Sequence, residues 1–134
     1  MKLNFTMSEL IYSDTAKKYN IYNMPDTQQL DCLLNLIVYC LQPIRDYIGK
    51  PMKISSGFRS VRLNNHPTIK GSNTSQHIKG QAADFTISGM TPKQIIEKIV
   101  ASGIEFDQLI NEYNIWVHVS YNKGNNRKQV LYIQ

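Results

Sequence analysis

Ala82-Ala83-Asp84-Phe85-Thr86 places an acidic side chain inside a run that otherwise reads as a buried strand. An unpaired carboxylate there would cost on the order of several kcal/mol, so the fold has to bring it a cation, a metal or hydrogen-bond donors. His77 lies seven positions earlier, at the end of Ser75-Gln76-His77. His118 lies much later, in Trp116-Val117-His118-Val119-Ser120, where strand alternation sets Trp116, His118 and Ser120 on the face opposite the two valines. Taken singly, His118 reads as a satisfied half-buried histidine and Asp84 as a structural acceptor. Together, two neutral imidazoles and one carboxylate form the protein side of an open catalytic zinc site, whose fourth position is left for water. The third histidine, His66 before Pro67, has no comparable partner and is expected to be exposed.

The remaining segments read as a scaffold for these groups. Thr6-Met7-Ser8-Glu9 is a capping box that opens a short helix, and Ser13-Asp14-Thr15-Ala16 begins a second one ending near Tyr19. Asp26-Thr27-Gln28-Gln29 opens the longest helix, with Leu30, Leu33, Leu34, Ile37, Val38, Leu41 and Ile44 as its apolar stripe. Pro43 should kink or divide it, and Gly49 should cap its end. Residues 50–56 read as a strand leading into Gly57-Phe58-Arg59-Ser60, with a helical turn over 61–64. Residues 65–80 show no periodicity, and a long irregular loop in a small domain that ends on His77 is read as functional. After the strand at 81–87, Thr91-Pro92-Lys93-Gln94 opens a helix carrying Ile95, Ile96, Ile99 and Val100 inward and stopping at Gly103. Three more strands follow, at 107–110, 116–121 and 129–133, the last two joined by the turn 122–126. With only one helix between the later strands, one α+β domain over 1–134 is expected, its small antiparallel or mixed sheet covered by helices on one side.

Composition narrows the function classes. The 134 residues are enough for one core without staples, and an apolar share of 42% with no run near 18 apolar residues argues against a membrane span. The opening Met1-Lys2-Leu3-Asn4-Phe5-Thr6 has no apolar segment of the signal-peptide kind, so a cytoplasmic protein, or one delivered by lysis or a virion, is expected. Cys32 and Cys40 are eight apart in a helix, a rise of roughly 12 Å that forbids a disulfide. The net charge of +5 is scattered, with Lys17-Lys18 and Arg127-Lys128 the only adjacent basic pairs. That pattern argues against a nucleic-acid groove and fits loose attraction to an anionic polymer such as a cell wall.

The combined pattern Ser56-Gly57-Phe58-Arg59-Ser60, Gly71-Ser72, Ser75-Gln76-His77, Gly80, Ala82-Ala83-Asp84 and Trp116-Val117-His118-Val119-Ser120 resembles the zinc D-alanyl-D-alanine carboxypeptidase family. That family includes phage endolysins, and its fold is shared by the Hedgehog signalling domain. The resemblance implies zinc held by His77, Asp84 and His118. It implies that Arg59 and Ser75 hold the substrate's carbonyl and terminal carboxylate, and a guanidinium near a metal suits a developing oxyanion. Several members carry a glutamate three residues before the last histidine; here that position is Ile115, which accepts no proton. Glu112, six before His118, matches the placement in other members and is the candidate general base. Where some members have a second histidine two before the last ligand, this chain has Trp116, read as packing beside the metal or walling the substrate cleft.

The resemblance thus implies a zinc metallopeptidase acting on peptidoglycan stem peptides, as a carboxypeptidase or as an endopeptidase, with specificity in the loop 65–73; a monomer is expected. The alternative from another class is a non-catalytic, zinc-stabilised wall-binding or phage structural module, because the Hedgehog domain keeps this scaffold without evident hydrolysis.

Overall fold

The computed structural model describes residues 2–134. Its helices begin where the sequence supplies caps. Thr6 accepts the amide of Glu9 and the Glu9 carboxylate accepts the amide of Thr6, opening α1 (Met7–Ile11). Ser13 caps α2 (Asp14–Lys18), and reciprocal boxes from Asp26 and Thr91 open α3 (Thr27–Leu36) and α6 (Pro92–Ser102). Gly49 and Gly103 end α4 (Gln42–Ile48) and α6 in the left-handed conformation that glycine adopts without penalty. The turn α5 (Val61–Asn64) is capped by Ser60.

The long helix is divided just before Pro43, as expected, although without a gap in the chain of helical residues. A π-helical turn, Ile37–Leu41, links α3 to α4, and the Gln42 amide donates to the Ile37 carbonyl five residues back. The extra residue accommodates a proline that lacks an amide and whose ring crowds the preceding turn. The buried stripe is Leu33, Leu36, Ile37, Cys40, Leu41 and Ile44. Leu34, expected inside, sits one residue off that line and is exposed; Val100 on α6 is likewise exposed, while Ile95, Ile96 and Ile99 are buried.

Five strands form one mixed sheet in the order β1 (Lys53–Ser56), β2 (Ala82–Thr86), β4 (Trp116–Ser120), β3 (Gln108–Glu112), β5 (Gln129–Ile133). Alternation divides its faces. Ala83, Phe85, Leu109, Val117 and Val119 join the main core with Leu33, Leu36, Ile37, Leu41 and the α6 isoleucines. Asp84, Ile110, Glu112, Trp116 and His118 line a cleft on the other face.

The turn over 122–126 joins β4 to β5 along the chain but does not make them neighbours in the sheet. Strand β4 has both edges occupied, by β2 and β3, and β5 instead pairs in parallel with β3, Gln108 opposite Gln129. The end of β4 and the start of β5 both lie at the Gln108 end of β3, so the connection only passes around that end. Asp107 holds it there. Its buried carboxylate accepts from the Arg127 backbone amide and Nε at 2.9 Å, from Arg127 Nη2 at 2.8 Å and from Gln76 Nε2 at 2.8 Å.

Hydrogen bonds from Arg127 lower the Asp107 pKa to about 2. A carboxyl that titrates near 3.9 unfolded and near 2 folded stabilises fully above about pH 4, and that stabilisation fades as the pH falls through 2. Asp107→Asn is therefore expected to cost about 2 kcal/mol of unfolding free energy at pH 7 and much less near pH 2, as read from urea titrations at the two pH values.

Candidate metal centre

Antiparallel pairing of β2 with β4 sets Asp84 opposite His118, which settles how a residue from each strand meets on the cleft face. His118 Nδ1 lies 2.9 Å from Asp84 Oδ1, and His77 Nε2 lies 3.3 Å from Asp84 Oδ2. The two imidazole rings stand edge to face with centroids 5.1 Å apart. All three residues are buried, and a donor atom of each lies within 4.8 Å of the other two, close enough to hold a single metal ion.

His77 comes from the irregular loop, and backbone contacts aim it. Its Nδ1 donates to the Gly57 carbonyl at 2.7 Å, so the lone pair is on Nε2, the nitrogen that faces Asp84. Gly57 can make that contact because it has no side chain: a Cβ would run into the Leu10 carbonyl. The next two residues hold the register, since the Phe58 amide donates to Leu10 O at 2.7 Å and the Arg59 amide to His77 O at 3.1 Å. Asn23, in a stretch that reads only as a loop, is a buried brace for the same segment. Its amide donates to Ile11 O and Phe58 O, and its Oδ1 accepts from the Ser60 amide.

The electrostatics suit a cation. Burial alone would raise the Asp84 pKa, but the adjacent His77 and the hydrogen-bonded His118 hold it well below the usual carboxylate range. Burial lowers the His77 pKa in spite of Asp84. An ionised carboxylate beside an imidazole that favours its neutral form is the protonation pattern of a metal-binding set.

Arg59 and Ser75 meet at the rim of this cluster. Arg59 Nη2 donates to Ser75 Oγ at 3.3 Å, and the His77 amide donates to the same oxygen at 3.2 Å, which leaves the hydroxyl proton of Ser75 free to be donated elsewhere. The Arg59 Nε is buried and makes no hydrogen bond. Glu112 Oε1 lies 3.8 Å from His118 Nδ1; burial and the charge of Asp84 raise its pKa, against the pull of His118 and Arg59. A tight turn at Tyr113 and Asn114, both at positive φ (59° and 57°), ends β3 and sets Glu112 directly opposite Trp116. Ile115, in that turn, is exposed. The half-buried Trp116 packs on Tyr113 at 5.6 Å, and its buried indole nitrogen lacks a hydrogen-bond partner.

These residues line one cleft of 680 Å³, walled on its far side by Ile69, Lys70, Gly71, Ser72 and Thr74. That loop is anchored: Ile69 packs on a second small core of Ala16, Ile21 and Leu63, and the Asn64 side chain donates to Ser72 O. His66 takes no part in the metal cluster. It is half-buried rather than exposed, because its ring packs on Tyr19 at 4.4 Å. Gln108 and Arg127 also line the cleft and belong to none of the motifs, while Gln76 lines it from within Ser75-Gln76-His77 without having been given a role. The adjacency of Gln76 to His77 and the lone Arg127 beside a basic neighbour carry no such signal in one dimension.

The family model for peptidase M15 matches residues 3–120, nearly nine-tenths of the chain, and no curated protein matches. The chain belongs to the M15 peptidase family, so its reaction class is hydrolysis of a peptide bond.

Titrating metal-free protein with a divalent cation is expected to show one site and a rise in Tm, and Asp84→Ala is expected to abolish both, as read by calorimetry. Gly57→Ala should weaken metal affinity as well as lower Tm, because moving the Leu10 carbonyl disturbs the carbonyl that orients His77.

Proposed function

We propose, from its place in the M15 family, that the protein is a zinc-dependent peptidase of peptidoglycan stem peptides, with His77, Asp84 and His118 as metal ligands and Glu112 as general base. The observation that carries this reading is the convergence of three buried donors, two nitrogen and one oxygen, at the floor of an open cleft with a carboxylate of raised pKa beside them. Two imidazoles and a carboxylate match the three-ligand sets of catalytic zinc, which keep a position open for substrate and water. Zinc, when bound, supplies a Lewis acid that acidifies water and polarises the scissile carbonyl.

The chain's own groups do the rest. Glu112, half-buried at the end of β3, takes the proton of the attacking water and passes it to the leaving amine, and a raised pKa makes its carboxylate a stronger base for the first transfer. Arg59, oriented by its contact with Ser75, presents a guanidinium to the oxygen on which negative charge develops. Ser75, its oxygen already occupied by two donors, offers its proton to a substrate carbonyl or carboxylate. Trp116 and Tyr113 form an aromatic wall beside Glu112, which limits water at the base. Terminal and internal cleavage both fit these roles, because none of them requires the cleaved residue to be the last.

Zinc-loaded protein incubated with muropeptides should release peptide products that a chelator suppresses, as read by mass spectrometry. Glu112→Gln should keep zinc at wild-type stoichiometry while lowering kcat by about 10²-fold or more. Unchanged turnover in that variant would remove Glu112 from its role.

A further inference from the structure

We propose that Arg127 is a second anion anchor in the cleft, and that the peptide this site accepts carries a free carboxylate about two residues from the bond that is cut. The inference rests on reading the cleft as a peptide site, and it adds an anchoring point at the end of the cleft away from Glu112, apart from the role given to Arg59.

Strand register gives the position. Along β3 the cleft-lining residues are Gln108, Ile110 and Glu112. Ile110 pairs with the ligand His118, and Glu112 pairs with Trp116. On the other side of β3, Gln108 pairs with Gln129, two residues after Arg127. Two residues of strand span about 7 Å. Glu112 therefore lies one pleat from the level of the metal ligands in one direction, and Gln108 with Arg127 lies at least one pleat away in the other. An extended peptide has the same rise, so a group that reaches Arg127 belongs to a residue about two positions from the scissile bond.

Arg127 is also held ready. Its Nε and Nη2 are fixed on Asp107 at 2.9 and 2.8 Å. The Asp107 side chain is 2% exposed, whereas that of Arg127 is 55% exposed. A guanidinium has five N–H donors in a rigid fork, and two are committed here, so three remain for an acceptor in the cleft. Asp107 shares its charge with Gln76 and the Arg127 amide as well. The cleft-lining neighbours at this end, Gln76 and Gln108, are uncharged, and the far wall adds Lys70. The cleft lining carries the cations Arg59, Lys70 and Arg127 and the acids Asp84 and Glu112, with Asp84 taken up in the metal cluster and Asp107 behind the lining paired with Arg127. A polar, basic end with a fixed guanidinium selects an acid over its amide, because an amide offers no charge to the fork.

The test uses the zinc-loaded protein and a stem-type pentapeptide, alanyl-γ-glutamyl-lysyl-alanyl-alanine, with its glutamyl α-carboxylate and its C-terminus each free or amidated. Binding is read by calorimetry and cleavage by mass spectrometry. Amidation at one of the two carboxylates is expected to weaken wild-type binding about tenfold. In Arg127→Gln that ratio should fall to about one. Arg127→Lys, which keeps a cation for Asp107, should show an intermediate ratio, and it serves as the readout if Arg127→Gln does not fold. A merely structural Arg127 would lower affinity for the acid and the amide alike and leave the ratio unchanged. No discrimination in the wild type, or discrimination that persists in both variants, would overturn the anchor. Discrimination in binding without any cleavage would count against the peptidase reading and leave the anchor standing.

Discussion

Asp84 sits between two imidazoles at a depth where a lone carboxylate is not tolerated, and most of the architecture follows from satisfying it. His118 reaches it by direct cross-strand pairing, the shortest route a sheet offers. His77 reaches it from a loop, so the loop must be held as firmly as a strand. The Gly57 carbonyl and the Arg59 amide, bonded to the His77 ring and carbonyl, supply that rigidity, and the register shift between Ile54 and Ser56 brings Ser56 level with Asp84 just before those contacts begin.

The sheet lets one short chain keep a dry core and a polar cleft a single residue apart. Val117 and Val119 face the helices while Trp116 and His118 face the cleft; Phe85 and Asp84 divide in the same way. A one-residue slip of β4 would bury the ligand among isoleucines and expose the valines. The hydrophobic driving force that assembles the core therefore also fixes the geometry of the site, with no separate device needed. Burial in the same site pushes the His77 pKa down and that of Glu112 up, the directions that metal binding and proton transfer require.

Around that centre the cleft is asymmetric. One end is aromatic and carries the half-buried carboxylate Glu112; the other is basic and braced by a buried ion pair that also ties the last strand to the sheet. Asp107 thus serves two levels at once. It places β5 beside β3, and through Gln76 it touches the loop that carries His77.

Local chemistry made much of this legible in one dimension. Caps at Thr6, Ser13, Asp26 and Thr91, left-handed glycines at 49 and 103, and the alternation around His118 are decided within a few residues, so their physics is present in the sequence. The His77, Asp84 and His118 set was legible for a related reason: a carboxylate in an apolar strand has few ways to be satisfied, and the chain has few histidines. Other outcomes depend on partners far along the chain. Leu34 and Leu33 look alike until the helix has a neighbour; the turn over 122–126 does not say which strand β5 will pair with until both edges of β4 are filled; Arg127 looks like a surface cation until Asp107 is buried beside it. What the sequence by itself determined was which groups must be joined and which local elements carry them. Which strand edges were free, and hence where β5, Asp107 and Arg127 came to rest, was decided only in the tertiary structure, because edge pairing and burial are properties of the assembled sheet.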